Sequence, residues 1–227
     1  GEVSLDANTT GDDNTSIGVG ALGANTTGGQ NTSVGRLALA ANTTADNNVA
    51  VGYAALQANT TGASNTAVGS QALASHTTAN SCVAVGYNAL NANTTGANNT
   101  AIGAGALDLN TTGLHNVSVG TASMDANTTG GYSTAVGSAA LTSQTTGARS
   151  VGVGYGALQD LTTGDDNVGI GVFAGQNITT ASDNTCIGNY AGQTLIDGSS
   201  STCIGKGADV SASGRSELVI GLNVVGK

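Results

Sequence analysis

The chain has 227 residues, which would suit one or two ordinary domains, but it carries 36 Gly, no Pro, no Trp and one Phe, and only 8% of its residues are charged. At 39% hydrophobic and a net charge of −9 it is too apolar for a disordered chain and too thin in large core side chains for a globule, which leaves a repeat protein. Five Lys and Arg, scattered at Arg36, Arg149, Lys206, Arg215 and Lys227, exclude a phosphate-binding stripe and with it a nucleic-acid partner.

No apolar run approaches the roughly 18 residues of a membrane-spanning helix, so membrane insertion is not expected. There is neither a signal peptide nor an initiator Met, and Gly1 reads as the edge of a longer protein.

A Gly follows each short apolar run, from Gly18, Gly35 and Gly52 through to Gly205, and every spacing is 17 residues until Gly221, which follows at 16. The consensus is A-N-T-T-G-x-x-N-T-A-V-G-x-x-A-L-x. A constant period without insertions places each unit in the environment of the last, as stacked coils do. Seventeen residues are too few for a helix pair, and Thr, Val, Ala and Gly suit short strands joined by turns. The expected fold is all-β: a parallel β-solenoid of about thirteen coils which, stacked at about 4.8 Å, give a rod of roughly 60 Å.

Within one coil the A-N-T-T-G segment comes first and reads as a turn. Gly supplies a positive φ, Asn and Thr bond local backbone, and stacked Asn8, Asn25, Asn42 and Asn59 are expected to form an amide ladder. The strand follows. One residue before its Gly lies a strictly β-branched column, Ile17, Val34, Val51 and onward, and three before it a Thr/Val column. Period-2 alternation puts these on one face, taken as the coil interior.

On the opposite face lies a column of small residues: Ser16, Ser33, Ala50, Ala67, Ala84, Ala101, Ser118, Ala135, Gly152, Gly169, Cys186 and Cys203. Restriction to small side chains implies close approach of another backbone, and these residues, the two glycines apart, are the candidates for a homotrimer axis. After the Gly come an Ala column and then a Leu column from Leu22 to Leu158. One such set per coil is a thin core against an ordering cost of roughly 1–2 kcal/mol per residue, so association along the small face is expected to supply burial.

Chemistry is sparse. His76 and His115 are isolated, and no nucleophile, base and orienting group come together, so no enzyme, cofactor or metal is expected. Asp12-Asp13-Asn14 and Asp165-Asp166-Asn167 read as solvated acidic turns, since most coils lack a carboxylate there. The N-T-T triplets match a glycosylation acceptor but are explained by the turn itself. Cys186 and Cys203 stack one coil apart in the small column and Cys82 sits in an Asn column; all three are expected to be packed thiols, with a disulfide as the sharper alternative.

The strand motif, as in Asn98-Asn99-Thr100-Ala101-Ile102-Gly103, resembles the head repeats of trimeric autotransporter adhesins, and the closing Gly207–Gly214 segment leading to Leu218-Val219-Ile220-Gly221 resembles them most. The 17-residue unit with its N-T-T-G turn looks still more like repeats of phage tail-fibre proteins. The resemblance implies a parallel homotrimer of left-handed coils, extracellular, on a virion or a cell surface. Residues 1–192 are expected to be regular repeats. Residues 193–227 are expected to be divergent coils, because the Leu column becomes Gly175, Gly192 and Asp209 and the Thr pair becomes Ile196-Asp197. The expected role is a structural shaft segment of a trimeric tail fibre whose partners are itself and a host receptor or glycan. A bacterial adhesin head is the first alternative and an ice-binding solenoid, suggested by the aligned Thr pairs, the second.

Overall fold

The computed structural model describes residues 1–224 and 226, which form two compact units, Gly1–His115 and Asn116–Lys227. The first unit holds β1 (Thr15–Ile17), β2 (Thr32–Val34), β3 (Val49–Val51), β4 (Thr66–Val68), β5 (Val83–Val85) and β6 (Thr100–Ile102). The second holds β7 (Val117–Val119), β8 (Thr134–Val136), β9 (Val151–Val153), β10 (Val168–Ile170), β11 (Thr185–Ile187), β12 (Thr202–Ile204) and β13 (Leu218–Ile220). Within each unit every strand pairs in parallel with the next, without slippage: Thr32 opposes Val49 and Val49 opposes Thr66, and in the second unit Thr185 opposes Thr202. The short last repeat keeps this register, with Thr202 opposite Leu218. Each unit is therefore a parallel β-solenoid with one 17-residue coil per strand, as the period predicts.

Backbone conformation explains two columns. The strand Gly adopts φ between +122° and +153° in every coil; a Cβ on Gly86 would lie 2.5 Å from the carbonyl oxygen of Gly103 in the next coil, and one on the last, Gly221, 2.6 Å from Val224 Cγ2. Only Gly fits, which is why it marks the period without exception. Four residues later Leu22, Leu39, Leu56 and their equivalents sit near φ +50°. Left-handed backbone tolerates an unbranched Cβ far better than a β-branched one, so from Leu22 to Gly192 this column contains only Leu, Met or Gly.

The facing of the strand is the reverse of the expectation. The small column is buried: Ser33, Ala50, Ala67, Ala84, Ala101, Ser118, Ala135, Cys186 and Cys203 are fully enclosed by their own chain, and Ser16 is half-buried in the first coil. The β-branched column and the Thr/Val column point outwards. The close backbone that restricts the small column belongs to the same chain. The Ser16, Ser33 and Ser118 hydroxyls donate to the carbonyls of Ala21, Ala38 and Ser123 at 2.7–2.8 Å, across the coil interior. A Cβ on Gly152 would lie 3.1 Å from Leu141 Cγ. The Leu column thus reaches across to the strand and leaves room only for Ser, Ala or Gly; where Leu is gone the position widens to Cys186, Cys203 and, in the last coil, Val219. The side chains proposed for a trimer axis line the interior of their own coil.

Burial of Leu and Ala is supplemented by two polar ladders. Asn25 Nδ2 donates to Asn8 Oδ1, Asn42 to Asn25 and Asn59 to Asn42, at 2.9–3.0 Å, as expected from the turn motif. The same amides also donate to the carbonyls of Gly28, Ala45 and Gly62. A second ladder, not anticipated, runs just before the strand: Asn14, Asn31 and Asn48 each accept from the backbone N–H one coil on, at 2.9–3.0 Å, and donate to a turn carbonyl. A buried polar group with its partners in place stabilises modestly, by about 0.5–1.5 kcal/mol per bond, and each coil repeats the set. The thin core therefore does not by itself require a partner.

In the second unit the interior changes hands. Where the Leu column becomes Gly175 and Gly192, the Asn column has already become Leu161, Ile178 and Leu195, all fully buried. Opposite the vacated space the small column enlarges to Cys186 and Cys203; a Cβ on Gly192 would lie 2.3 Å from Cys186 Sγ.

Candidate functional site

The face left for interaction is the outer side of the strands. The β-branched column places Ile17 59% and Ile102 41% exposed in the first unit and Ile170 40% exposed in the second, with Val34, Val51, Val85, Val119 and Val153 half-buried between them. Beside it lies the Thr/Val column, also outward. Apolar side chains recur at every coil of each unit, because the parallel register stacks like on like. Singly exposed hydrophobic residues are ordinary; a continuous row on a sheet face is what association surfaces look like.

The residues singled out for chemistry are spread apart. His76 replaces Asn in the first ladder: its ring accepts from Asn93 Nδ2 at Nδ1, 3.0 Å, and its Nε2–H donates to Ala79 O, 2.8 Å. That pattern fixes the neutral tautomer, and burial holds the ring's pKa below the usual histidine value, only partly opposed by the Ala79 carbonyl. Asn59 Oδ1, which would face a donor if residue 76 were Asn, is buried without a hydrogen bond.

Asp165 and Asp166 pair with Arg149 of the preceding coil at 3.2 and 2.8 Å, an exposed pair of the kind that adds little. Among the described residues no three of His, Cys, Asp and Glu gather as a metal site would require. The N-T-T asparagines from Asn25 to Asn110 are buried in the ladder, so the folded protein does not offer them for glycosylation. The adjacent first Thr of each pair is also engaged: Thr26 Oγ1 donates to Thr43 O and Thr94 Oγ1 to Thr111 O, both at 3.0 Å.

Cys82, Cys186 and Cys203 are free and buried. Cys186 and Cys203 lie in adjacent coils, and the hydrogen bond between their thiols, reinforced by burial, pushes Cys186 up from the ordinary thiol range. Burial does the same at Cys82, whose thiol donates to Gly96 O at 3.3 Å in place of the missing Asn amide.

Sequence reasoning missed an aromatic cluster in the second unit. Tyr155 and Phe173 meet edge to face with ring centres 5.0 Å apart, and Phe173 and Tyr190 lie 5.6 Å apart at 30°. The signal was present in composition: the chain has only five Tyr and one Phe, and half of them stand here in three successive coils. Compared with protein-family profiles, curated proteins and solved structures, the chain matches none.

Proposed function

We propose that this chain is a structural segment of a homotrimeric extracellular fibre, of the kind that forms a phage tail-fibre shaft, and that the chains meet through the outward Val/Ile and Thr/Val columns. The observation that carries the reading is the exposed aliphatic row, repeated at every coil, on a chain whose interior is already filled. Covering one β-branched side chain per coil removes apolar surface worth roughly 25 cal/mol per Å², and the gain accumulates along a unit. The stoichiometry of three follows the resemblance to autotransporter head and tail-fibre repeats. A regular stack of coils in each unit, with only 8% of the residues charged, suits a shaft at a virion or cell surface.

Multi-angle light scattering under native conditions is expected to give three times the chain mass. Replacing Val68, Ile102 and Val136 by Asp places three charges per chain on the outer face without touching the interior. This variant is expected to be monomeric while keeping its β-rich circular dichroism. A monomeric wild type, or a triple variant with unchanged mass, would refute the reading.

A further inference from the structure

From the aromatic cluster of the second unit we infer a binding platform for a neutral hexopyranose oligosaccharide, formed by Tyr155, Phe173 and Tyr190 with the amides of Gln159 and Gln176 at its edge. The cluster is built into the repeat. Phe173 and Tyr190 occupy equivalent places in successive coils, both at left-handed φ of 54° and 59°. The Phe173 ring lies where a Cβ on Gly156 would be, 2.6 Å from that position, so the preceding coil has given up its side chain to let the ring lie down. Gln159 Oε1 sits against the same Gly156 position, 3.1 Å from it, and accepts from Gln176 Nε2 at 3.4 Å. Rings and amides are therefore held side by side. Tyr155 is 53% and Tyr190 41% exposed, so both present ring surface and hydroxyl to solvent.

Three classes of ligand suit a cluster of exposed rings, and two of them fail here. A single-stranded nucleic acid would stack its bases, but the net charge of −9 repels its phosphates. A protein partner needs about 800 Å² per side, whereas the exposed parts of these rings amount to roughly 200–250 Å². A sugar fits both the size and the chemistry. The C–H groups on one face of a pyranose are weakly positive and settle on the negative faces of aromatic rings. Its hydroxyls find the Tyr hydroxyls and Gln amides at the rim. Tyr155 stands nearly perpendicular to Phe173, and Phe173 lies within 30° of Tyr190, so the cluster offers ring faces in two directions to a short stretch of sugar units.

The platform goes beyond the fibre reading and does not depend on the number of chains: a monomeric protein would overturn the fibre and leave the sugar site standing. The test is saturation-transfer NMR and calorimetry with linear hexamers of glucose, mannose and galactose. Saturation is expected on at least one hexamer. The double variant Tyr155→Ala/Tyr190→Ala is expected to lose affinity at least roughly tenfold, or about 1.4 kcal/mol, while Tyr53→Ala/Tyr87→Ala, which removes two exposed tyrosines of the first unit, keeps it. The first-unit variant is expected to melt as wild type does, and the Tyr155/Tyr190 variant, which gives up two ring contacts with Phe173, to melt somewhat lower while keeping its β-rich circular dichroism. No binding of any hexamer, binding that survives in the Tyr155/Tyr190 variant, or a change of assembly mass in that variant would each overturn the platform; the last would make the rings a subunit contact.

Discussion

His76→Asn is expected to stabilise the protein and to remove part of its acid sensitivity. At every neighbouring step the ladder amide does three things: it donates to the coil before, donates to its own turn carbonyl and accepts from the coil after, as Asn42 does with Asn25, Ala45 and Asn59. His76 manages only the last two and strands Asn59 Oδ1. A buried acceptor without a partner costs about 1–3 kcal/mol, and Asn at 76 supplies the donor. The smaller side chain leaves some unfilled volume, which offsets up to about 1 kcal/mol, so the net gain is about 1–2 kcal/mol. The pH term adds to it. Burial lowers the folded pKa of His76 below the unfolded value of about 6.5, so the unfolded chain binds the proton first. Wild-type stability is thus complete above about pH 6.5 and falls as pH drops below it, by up to about 1.4 kcal/mol per pH unit until the folded pKa is passed. The carboxylates titrate in both proteins and cancel in the difference. Denaturant unfolding of wild type and variant at pH 7.5, 6 and 5 measures both effects. A variant less stable than wild type at pH 7.5, or a gap that does not widen in acid, would show that the ladder is not continuous through residue 76.

Three further outcomes follow from the same geometry. Gly86→Ala places a Cβ 2.5 Å from Gly103 O at φ +138°, and is expected to cost about 1–3 kcal/mol or more, read as a lowered denaturation midpoint. Ala84→Leu and Ala101→Leu overfill the coil interior and are expected to destabilise the fold by about 1–3 kcal/mol each, with any loss of assembly following loss of melting temperature; unchanged melting with altered mass would return these residues to an interface. Buried thiols with raised pKa at Cys82 and Cys186 are expected to resist a thiol reagent in the native protein and to give three free thiols on unfolding; a band that disappears with reductant on denaturing electrophoresis would contradict this.

The period, the strand position, the Leu column and the first Asn ladder were legible because each is a column in which one residue type recurs. The phase of the strand was not. Alternation at Thr100, Ala101 and Ile102 says that two faces exist and does not say which is inside. Greater apolarity pointed to Ile102, but interior width decided for Ala101, since the Leu of the opposite wall already fills the coil. The coils in which Gly175 and Gly192 replace Leu, while Cys186 and Cys203 replace Ala or Gly, carried the information: two columns that trade volume face one another. The second ladder hid because its hydrogen bonds run to backbone, which no spacing reveals. The aromatic cluster escaped because its members occupy two different columns, Tyr155 next to the strand Gly and Phe173 and Tyr190 one place on.

The handover from Asn to aliphatic side chains at Leu161, Ile178 and Leu195 has a consequence for how the chain finds its alignment. Coils with identical faces offer no penalty for pairing with the wrong neighbour: a strand displaced by one full repeat meets the same Asn, the same Leu and the same Gly, and the mistake costs only the coil left out. Landscapes with such near-equal alternatives fold to mixtures unless something breaks the tie. A misplaced Asn against Leu161 or Leu195 buries an amide without its donor, and a Leu column run onto Cys186 collides with sulfur. These few irregular coils act as an index mark on an otherwise featureless scale, so the decay of the repeat is what lets a long run of copies settle at a single reading.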